Sequence, residues 1–499
     1  MDFTKIPFLS FLRAHWFGVS VLLIVILSFY LRFYNYENRW GLAIDQARDV
    51  IIAREALKSH LLPLIGPFAS AGQFVYGPQW YWILMIMVGI FPFAVITPWI
   101  IQSLLYVGVV WLMILIGKEM EGKGFGLVLG LFTAISTAQI LNSTNLVQPS
   151  LVGIFSFLSL YFFIKYIKSG SNTYAFLMAF VVATEVNIHF QAISLLVLVP
   201  LSFILDNARS IRKAWIMLTG TIIPFIPLIY FDLTNNFFES RNWIDYFLYG
   251  QYRIYVPNRW LTYIGVYWPN EWSKIIGGET LLGYVTVASL ACGAAIAFFR
   301  KKLKKTFFAI IAVFFIIFFL LRFYRGERID SYLVFLHPFV IVLTGWSCLQ
   351  LYKLRKVVGI SLFLVIVLTT FRLDLLEIKK GENITVVQVS NWADKLKSDF
   401  PKDTFAVFDY MHKDREKSFP LILFLDQSGK ISDNGKKIGF YITTSETEFG
   451  YPAIIGKKGE FQIVNLDSST SAQLSKEGWS FINPSQIYQA TIEWYKNKN

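Results

Sequence analysis

The stretch Asp45-Gln46-Ala47-Arg48-Asp49-Val50-Ile51-Ile52-Ala53-Arg54-Glu55 follows the first apolar run of the chain, Val19–Leu31, and is the densest polar cluster outside the basic turns. On a helix Asp45 and Asp49 stand at i and i+4 with Arg48 between them on nearly the same face, so the three can neutralise one another as an ordinary surface cluster. The same spacing suits a carboxylate base beside a guanidinium that binds phosphate, and spacing alone leaves the two readings level. Deciding between them requires the surroundings.

Those surroundings are membrane. Of 499 residues, 55% are hydrophobic and 16% charged, with 47 Phe, 25 Tyr and 15 Trp, a composition foreign to disordered or nucleic-acid-coating chains. Residues 1–373 hold 30 Lys and Arg against 16 Asp and Glu, whereas residues 374–499 hold 16 against 17, so the net charge of +13 belongs to the apolar part. A basic surplus spread through apolar sequence orients loops and does not make a solvated nucleic-acid face. Cys292 and Cys348 both lie in apolar runs, which leaves no disulfide framework and no paired-cysteine metal site.

At about 20 residues per crossing, apolar segments near 16–34, 98–117, 124–141, 149–166, 174–190, 191–206, 214–231, 280–299, 306–322, 332–351 and 357–373 predict a polytopic α-helical membrane protein of about eleven spans. Lys5 and Arg13 precede the first, and no small-residue cleavage site intervenes before Arg32, which predicts an anchored span with a cytoplasmic N-terminus. Phe74–Phe93, rich in Trp, Tyr and Pro, is a further apolar stretch. Leaving it out of the count puts fifteen basic residues, among them Lys118, Lys165, Arg212, Lys304 and Lys353, in the cytoplasm. The positive-inside bias therefore lays Phe74–Phe93 along the outer interface of a plasma membrane.

The outer side then carries a first loop of about 35–97 with interfacial helices, a second loop of about 232–279, and the tail. Residues 1–373 form the membrane domain in this reading. In the tail, 374–499, the apolar runs Phe405–Phe408, Leu421–Leu425, Ile438–Thr443 and Phe461–Val464 are separated by polar turns. They predict a small soluble α/β or α+β domain on the extracytoplasmic side, with helices over Val386–Leu396 and Ser485–Tyr495.

Other polar constellations gather at the predicted outer ends. Tyr76 and the turn Gly77-Pro78-Gln79-Trp80-Tyr81-Trp82 offer rings suited to a headgroup boundary or to a sugar. Pro149 opens a helix next to Gln148, which can face a cavity. Glu185 and His189, at i and i+4, either pair with each other or line that cavity. Arg322, Arg325 and Arg328, with Glu327, Asp330 and Tyr332, break the charge bias of the chain. An anionic ligand on the outer face accounts for that exception, against the alternative of pairing with Glu327, Asp330 or lipid headgroups.

The order of a first membrane helix, the Asp45-x-x-Arg48 motif continuing to Arg54-Glu55, the Gly77-Pro78 turn, an aromatic interfacial segment, the Gln148-Pro149 turn and Tyr230-Phe231-Asp232 resembles the GT-C glycosyltransferases. Within them it is similar to the family-39, protein-mannosyltransferase-like and aminoarabinose-transferase-like branch, over about residues 16–373. The resemblance implies transfer of a hexose or pentose from a polyprenyl-phosphate carrier to an acceptor hydroxyl on a protein, lipid or glycan outside the cytoplasm, with inversion. Asp45 matches the family's catalytic carboxylate, the general base on the acceptor hydroxyl. Arg48 matches a basic residue near the lipid phosphate, and Asp49, Arg322, Arg325, Arg328 and Tyr332 are expected around the phosphate or substrate. Tyr76, Gln148, Glu185 and His189 are expected to line the cavity.

The chain departs from the family where Gln46 replaces a second acid, where Gln148 replaces an acid before a proline, and where Gly77-Pro78 replaces Lys-Pro or His-Pro-Pro. A phosphate leaving group needs positive charge and no acid, so no cofactor is required; Asp45 and Asp49 could hold a divalent cation, but no ligand-dense cluster surrounds them. A transporter or flippase would carry its ionisable residues near mid-span. A lipid-linked polysaccharide ligase would not need the Asp45-Arg48 motif directly after the first helix.

Overall fold

The computed structural model describes residues 7–92, 94–252, 260–299, 303–324, 330–410, 415–442, 453–455, 461–465 and 479–494. Among them, eight helices are long and apolar enough to cross a bilayer: Ala14–Phe33, Thr97–Glu121, Gln148–Ser169, Ile211–Thr234, Thr280–Phe299, Lys305–Phe323, Tyr332–Leu354 and Lys356–Glu377. The segment expected near 124–141 is a bent pair, Lys123–Ala134 and Thr137–Thr144, which meet at 55°. Those expected at 174–190 and 191–206 are the shorter apolar helices Asn172–Ile188 and Phe190–Leu205, so the expected eleven segments resolve into eight full-length helices, one bent pair and two short helices. Gln79–Ile90 has twelve residues, about 18 Å of helix, well short of a hydrocarbon core of about 30 Å.

The described residues cluster into two compact units. The first comprises Met1–Tyr34, Phe68–Gly77 and Gln102–Lys379 and contains the helical bundle. Here the bent pair leaves the carbonyls of Thr133 and Ala134 without helical partners, and the buried guanidinium of Arg32 donates to both, at 3.3 and 3.1 Å. A charge at the end of the first helix thus closes a break in another. Helices Thr97–Glu121 and Lys123–Ala134 approach at Gly117 and Gly126, where a Cβ on Gly117 would fall 2.7 Å from the Gly126 Cα. Basic residues from separate turns converge on two acids of one helix end: Lys165 and Lys168 on Glu119, at 3.0 and 2.9 Å, and Lys304 and Lys353 on Glu121, at 2.9 and 3.4 Å. The turns that the charge bias assigned to a common side therefore do share one end of the bundle.

The second unit comprises Asn35–Pro67, Pro78–Ile101 and Lys380–Asn499. Its sheet has five strands, β1 (Phe405–Tyr410), β2 (Lys436–Ile442), β3 (Ala453–Ile455), β4 (Phe461–Asn465) and β5 (Trp479–Phe481), in the order β3-β4-β2-β1-β5. Strands β1 and β2 are parallel and every other pairing is antiparallel. Two parallel neighbours need a crossover, and Arg415–Gln427 supplies it as a helix. The apolar run Leu421–Leu425 lies in this helix, and its continuous apolar character reflects burial, since Leu421, Ile422, Leu423 and Leu425 are all fully buried. The tail helices lie at Val386–Asp399 and Pro484–Ile492, close to expectation. Residues ahead of the Asp45 cluster pair with the start of the tail: the Leu42 N–H donates to the Ile384 carbonyl, and the Val386 N–H to that of Trp40, both at 2.9 Å.

Candidate active site

The Asp45 cluster opens the helix Ile44–Ser59. Gln46, which stands where the family has a second acid, accepts the Ala43 N–H at 3.1 Å and so caps its own helix. Asp45 sits in the first turn, where the helix dipole favours a negative charge. Its side chain is 61% exposed, and Arg48 Nη1 donates to it at 2.7 Å. Asp49, one turn further, is its opposite. That carboxylate is 4% exposed and accepts from Arg48 Nε at 2.8 Å, from Trp80 Nε1 at 2.7 Å and from the Tyr81 hydroxyl at 3.4 Å.

Burial pushes the Asp49 carboxyl above its usual range, against the pull of the Arg48 charge and the Trp80 hydrogen bond. For Arg48, burial works against the charge, but Asp49, Tyr81 and Asp45 outweigh it and hold the guanidinium above its ordinary range. The two acids differ in setting: buried Asp49 holds the Nε and Nη2 edge of Arg48, and exposed Asp45 accepts from its Nη1. Sequence spacing placed the three together. It could not tell the two carboxylates apart, because the difference is made by Trp80 and Tyr81 on the helix Gln79–Ile90.

In the other unit, Tyr76 and Tyr332 line a cavity of about 520 Å³ together with Phe74, Trp243, Tyr246 and Tyr324. Four of its tyrosine hydroxyls are paired: Tyr76 with His189 Nε2 at 3.0 Å, Tyr332 with Ser70 at 2.9 Å, and Tyr246 with Tyr324 at 2.6 Å. Phe74 stacks on Trp243 at 4.5 Å between ring centroids. The alternative pairing of Glu185 with His189 does not occur. Glu185 is fully buried and accepts from Ser156 and, at 3.0 Å, from Ser159, both on Gln148–Ser169, while His189 stands behind Tyr76. Gln148 is half-buried in the first turn of that same helix. Arg322 is buried with its guanidinium 4.6 Å over the Trp260 ring. Arg325 and Arg328 lie outside the described residues.

One buried acid beside the cavity escaped the sequence reading. Glu239 is buried behind the cavity wall and accepts the Val75 N–H at 3.0 Å and Trp243 Nε1 at 2.9 Å, so it joins the Phe74–Tyr76 segment to the ring that Phe74 stacks on. Burial pushes its carboxyl up to about 8, against those two hydrogen bonds. The available signal was an acid following the apolar pair Phe237-Phe238. Among the described residues no group of three or more His, Cys, Asp or Glu side chains is arranged to hold a metal ion.

Among the described residues, eight helices long and apolar enough to cross a bilayer make this a multi-pass helical membrane protein, and its fold is that of solved GT-C membrane enzymes. That architecture is shared with ArnT from Cupriavidus metallidurans in the apo state, with a TM-score of 0.60 at 10% identity over 92% of this chain and 99% of that one. The same enzyme bound to undecaprenyl phosphate matches with a TM-score of 0.56 at 10% identity, over 91% and 98%. The apo oligosaccharyltransferase of Archaeoglobus fulgidus matches with a TM-score of 0.50 at 12% identity over 79% of this chain, which spans 59% of that enzyme. No protein-family model and no curated protein sequence matches the chain. At these identities the likeness is one of fold.

Proposed function

We propose that this protein is a membrane glycosyltransferase that takes a sugar from a polyprenyl-phosphate carrier and passes it, with inversion, to an acceptor hydroxyl outside the cytoplasm. Asp45 removes the proton of the acceptor hydroxyl, the freed oxygen forms a bond to the anomeric carbon, and the bond from that carbon to the phosphate oxygen breaks. The departing polyprenyl phosphate carries the negative charge, which Arg48 compensates without needing to move, because Asp49 already holds it. The observation that carries this reading is the open Asp45 beside a fixed Arg48, in a fold that covers 99% of ArnT. The aromatic cavity supports it further. Its rings suit an isoprenoid chain, and Tyr76, Tyr246, Tyr324 and Tyr332 have their hydroxyls already paired.

In this reading the N-terminus is cytoplasmic, and the working face and tail are extracytoplasmic. A cysteine placed at Gly122 is then shielded from an impermeant reagent added outside, and one at Asn434 reacts; the reverse pattern would invert the topology. The direct test is release of polyprenyl phosphate by the purified chain from a panel of polyprenyl-phosphate sugars, native against Asp45→Asn. Release that disappears in the variant is expected. Equal release by both would remove Asp45 from the chemistry, and no release from folded protein would favour a transporter or a polysaccharide ligase.

A further inference from the structure

The tail grips the helix that carries Asp45 at more than one place. Ahead of that helix, Asn38 and Trp40 accept the N–H groups of Glu382 and Val386 at 2.8 and 2.9 Å, and Leu42 donates to Ile384 at 2.9 Å, so the entry strand is laid against the start of the tail. Along its last turns, Lys58 Nζ donates to both oxygens of Asp426, at 2.8 and 3.0 Å, and Arg54 Nε lies 3.7 Å from the same carboxylate. Glu55 closes the group, accepting from Lys58 at 2.7 Å and from Ser485 at 3.1 Å. Asp426 lies in the last turn of the crossover helix, Ser485 in the first turn of the tail helix Pro484–Ile492, and Gln427, next to Asp426, donates to the Pro92 carbonyl at 2.8 Å.

The side chains of Asp426, Arg54 and Glu55 are 16%, 11% and 14% exposed, whereas Lys58 is 49% exposed, so solvent screens the Lys58 arm of the network and the Arg54–Asp426 pair less. Burial lowers Arg54 from its ordinary range despite the Asp426 charge, which makes that carboxylate its main compensation. The buried face of the same helix is made of Ala47, Val50, Ile51, Ile52, Ala53 and Ala56. Val50, Ile51 and Ile52 pack that face, and the polar contacts with the tail fix the helix at its entry and along its last turns.

We propose that Asp426 is a positioning residue for Asp45, and that the tail is a part of the transferase itself that sets the tilt of the Ile44–Ser59 helix. This rests on the glycosyltransferase reading for its effect on turnover, and not for its effect on the helix. Asp426 touches neither donor nor acceptor in this account. It holds one end of a rod whose other end bears the base, and displacement of a base by about 1 Å costs up to about a hundredfold in rate.

The experiment uses the full chain in lipid nanodiscs, as native protein, Asp426→Asn, Asp426→Glu and Ser485→Ala, with Lys395→Gln as a tail-surface control. Hydrogen exchange of the Asp49–Leu57 amides is expected to quicken about tenfold in Asp426→Asn, less in Ser485→Ala, and hardly at all in Asp426→Glu or the control. With a polyprenyl-phosphate sugar as donor, kcat is expected to fall about tenfold in Asp426→Asn at unchanged donor KM, and Asp426→Glu to restore most of it. Native exchange rates in both Asp426→Asn and Ser485→Ala, or a loss confined to donor KM, would overturn the proposal. Should Asp426→Asn fail to fold, Ser485→Ala decides by the same two measurements. If the native chain turns over no donor, the glycosyltransferase reading falls alone, and the exchange rates still decide whether the tail positions the helix.

Discussion

The Asp45 helix and the aromatic cavity are built by opposite means. The helix adds charge to a buried apolar face: Arg48 on two carboxylates at one end, and Asp426 with Arg54, Lys58 and Glu55 at the other. The cavity is held by stacked rings and by hydroxyls paired with neutral partners. Charge holds direction at long reach and is costly to misplace, whereas ring packing fills space and tolerates small changes of shape. Under the proposed function, the helix is expected to govern rate and the cavity to govern carrier binding.

Asp45→Asn should break that division most severely if it is wrong. It is expected to lower kcat about a thousandfold or more with donor KM within twofold of native, measured as polyprenyl phosphate release. Next comes Arg48→Gln, which removes the charge that meets the leaving phosphate and is expected to cost about a hundredfold in kcat/KM for the donor, with a smaller effect on acceptor use. An equal loss on both substrates would make Arg48 a structural pin. In the cavity, Trp243→Leu should raise donor KM about tenfold and leave kcat within twofold. A fall in kcat instead would move the cavity into the chemistry.

The smallest effect on turnover is expected from Glu239→Gln, and it sharpens the comparison through pH. The Glu239 carboxyl is raised by burial to about 8 in the folded chain, against about 4.3 when unfolded. Between those values the folded state binds the extra proton, so stability falls as pH rises from about 4.5 to 8 and is flat on either side. Melting in detergent should therefore drop by about 3 °C across that window for native protein, and Glu239→Gln should remove this slope. A slope retained in Glu239→Gln would assign it to another group.

The sequence carried the architecture because its signals are local. Apolar runs and basic turns sum over many residues, so the expected segments all recur as helices, and even Lys165, Lys168, Lys304 and Lys353 gather at one end of the bundle. Local signals fall short where neighbours decide. Leu421–Leu425 is helical because parallel β1 and β2 need a crossover, and Glu185 turns to Ser156 and Ser159 instead of His189 because another helix lies against it. Arg322 is stacked on Trp260, a partner more than sixty residues away that no spacing rule could supply.

At the candidate site, the sequence by itself determined which residues share a helix face: Asp45, Arg48 and Asp49 are brought together by the 3.6-residue period and nothing else is required. Only the tertiary structure decided their separate states. Trp80 and Tyr81 close over Asp49 and leave Asp45 exposed, and Asp426 and Ser485, more than 350 residues further along the chain, hold the far end of the helix. The physical reason is that helical periodicity fixes neighbours along one element, while desolvation and hydrogen-bond satisfaction depend on which other elements arrive there.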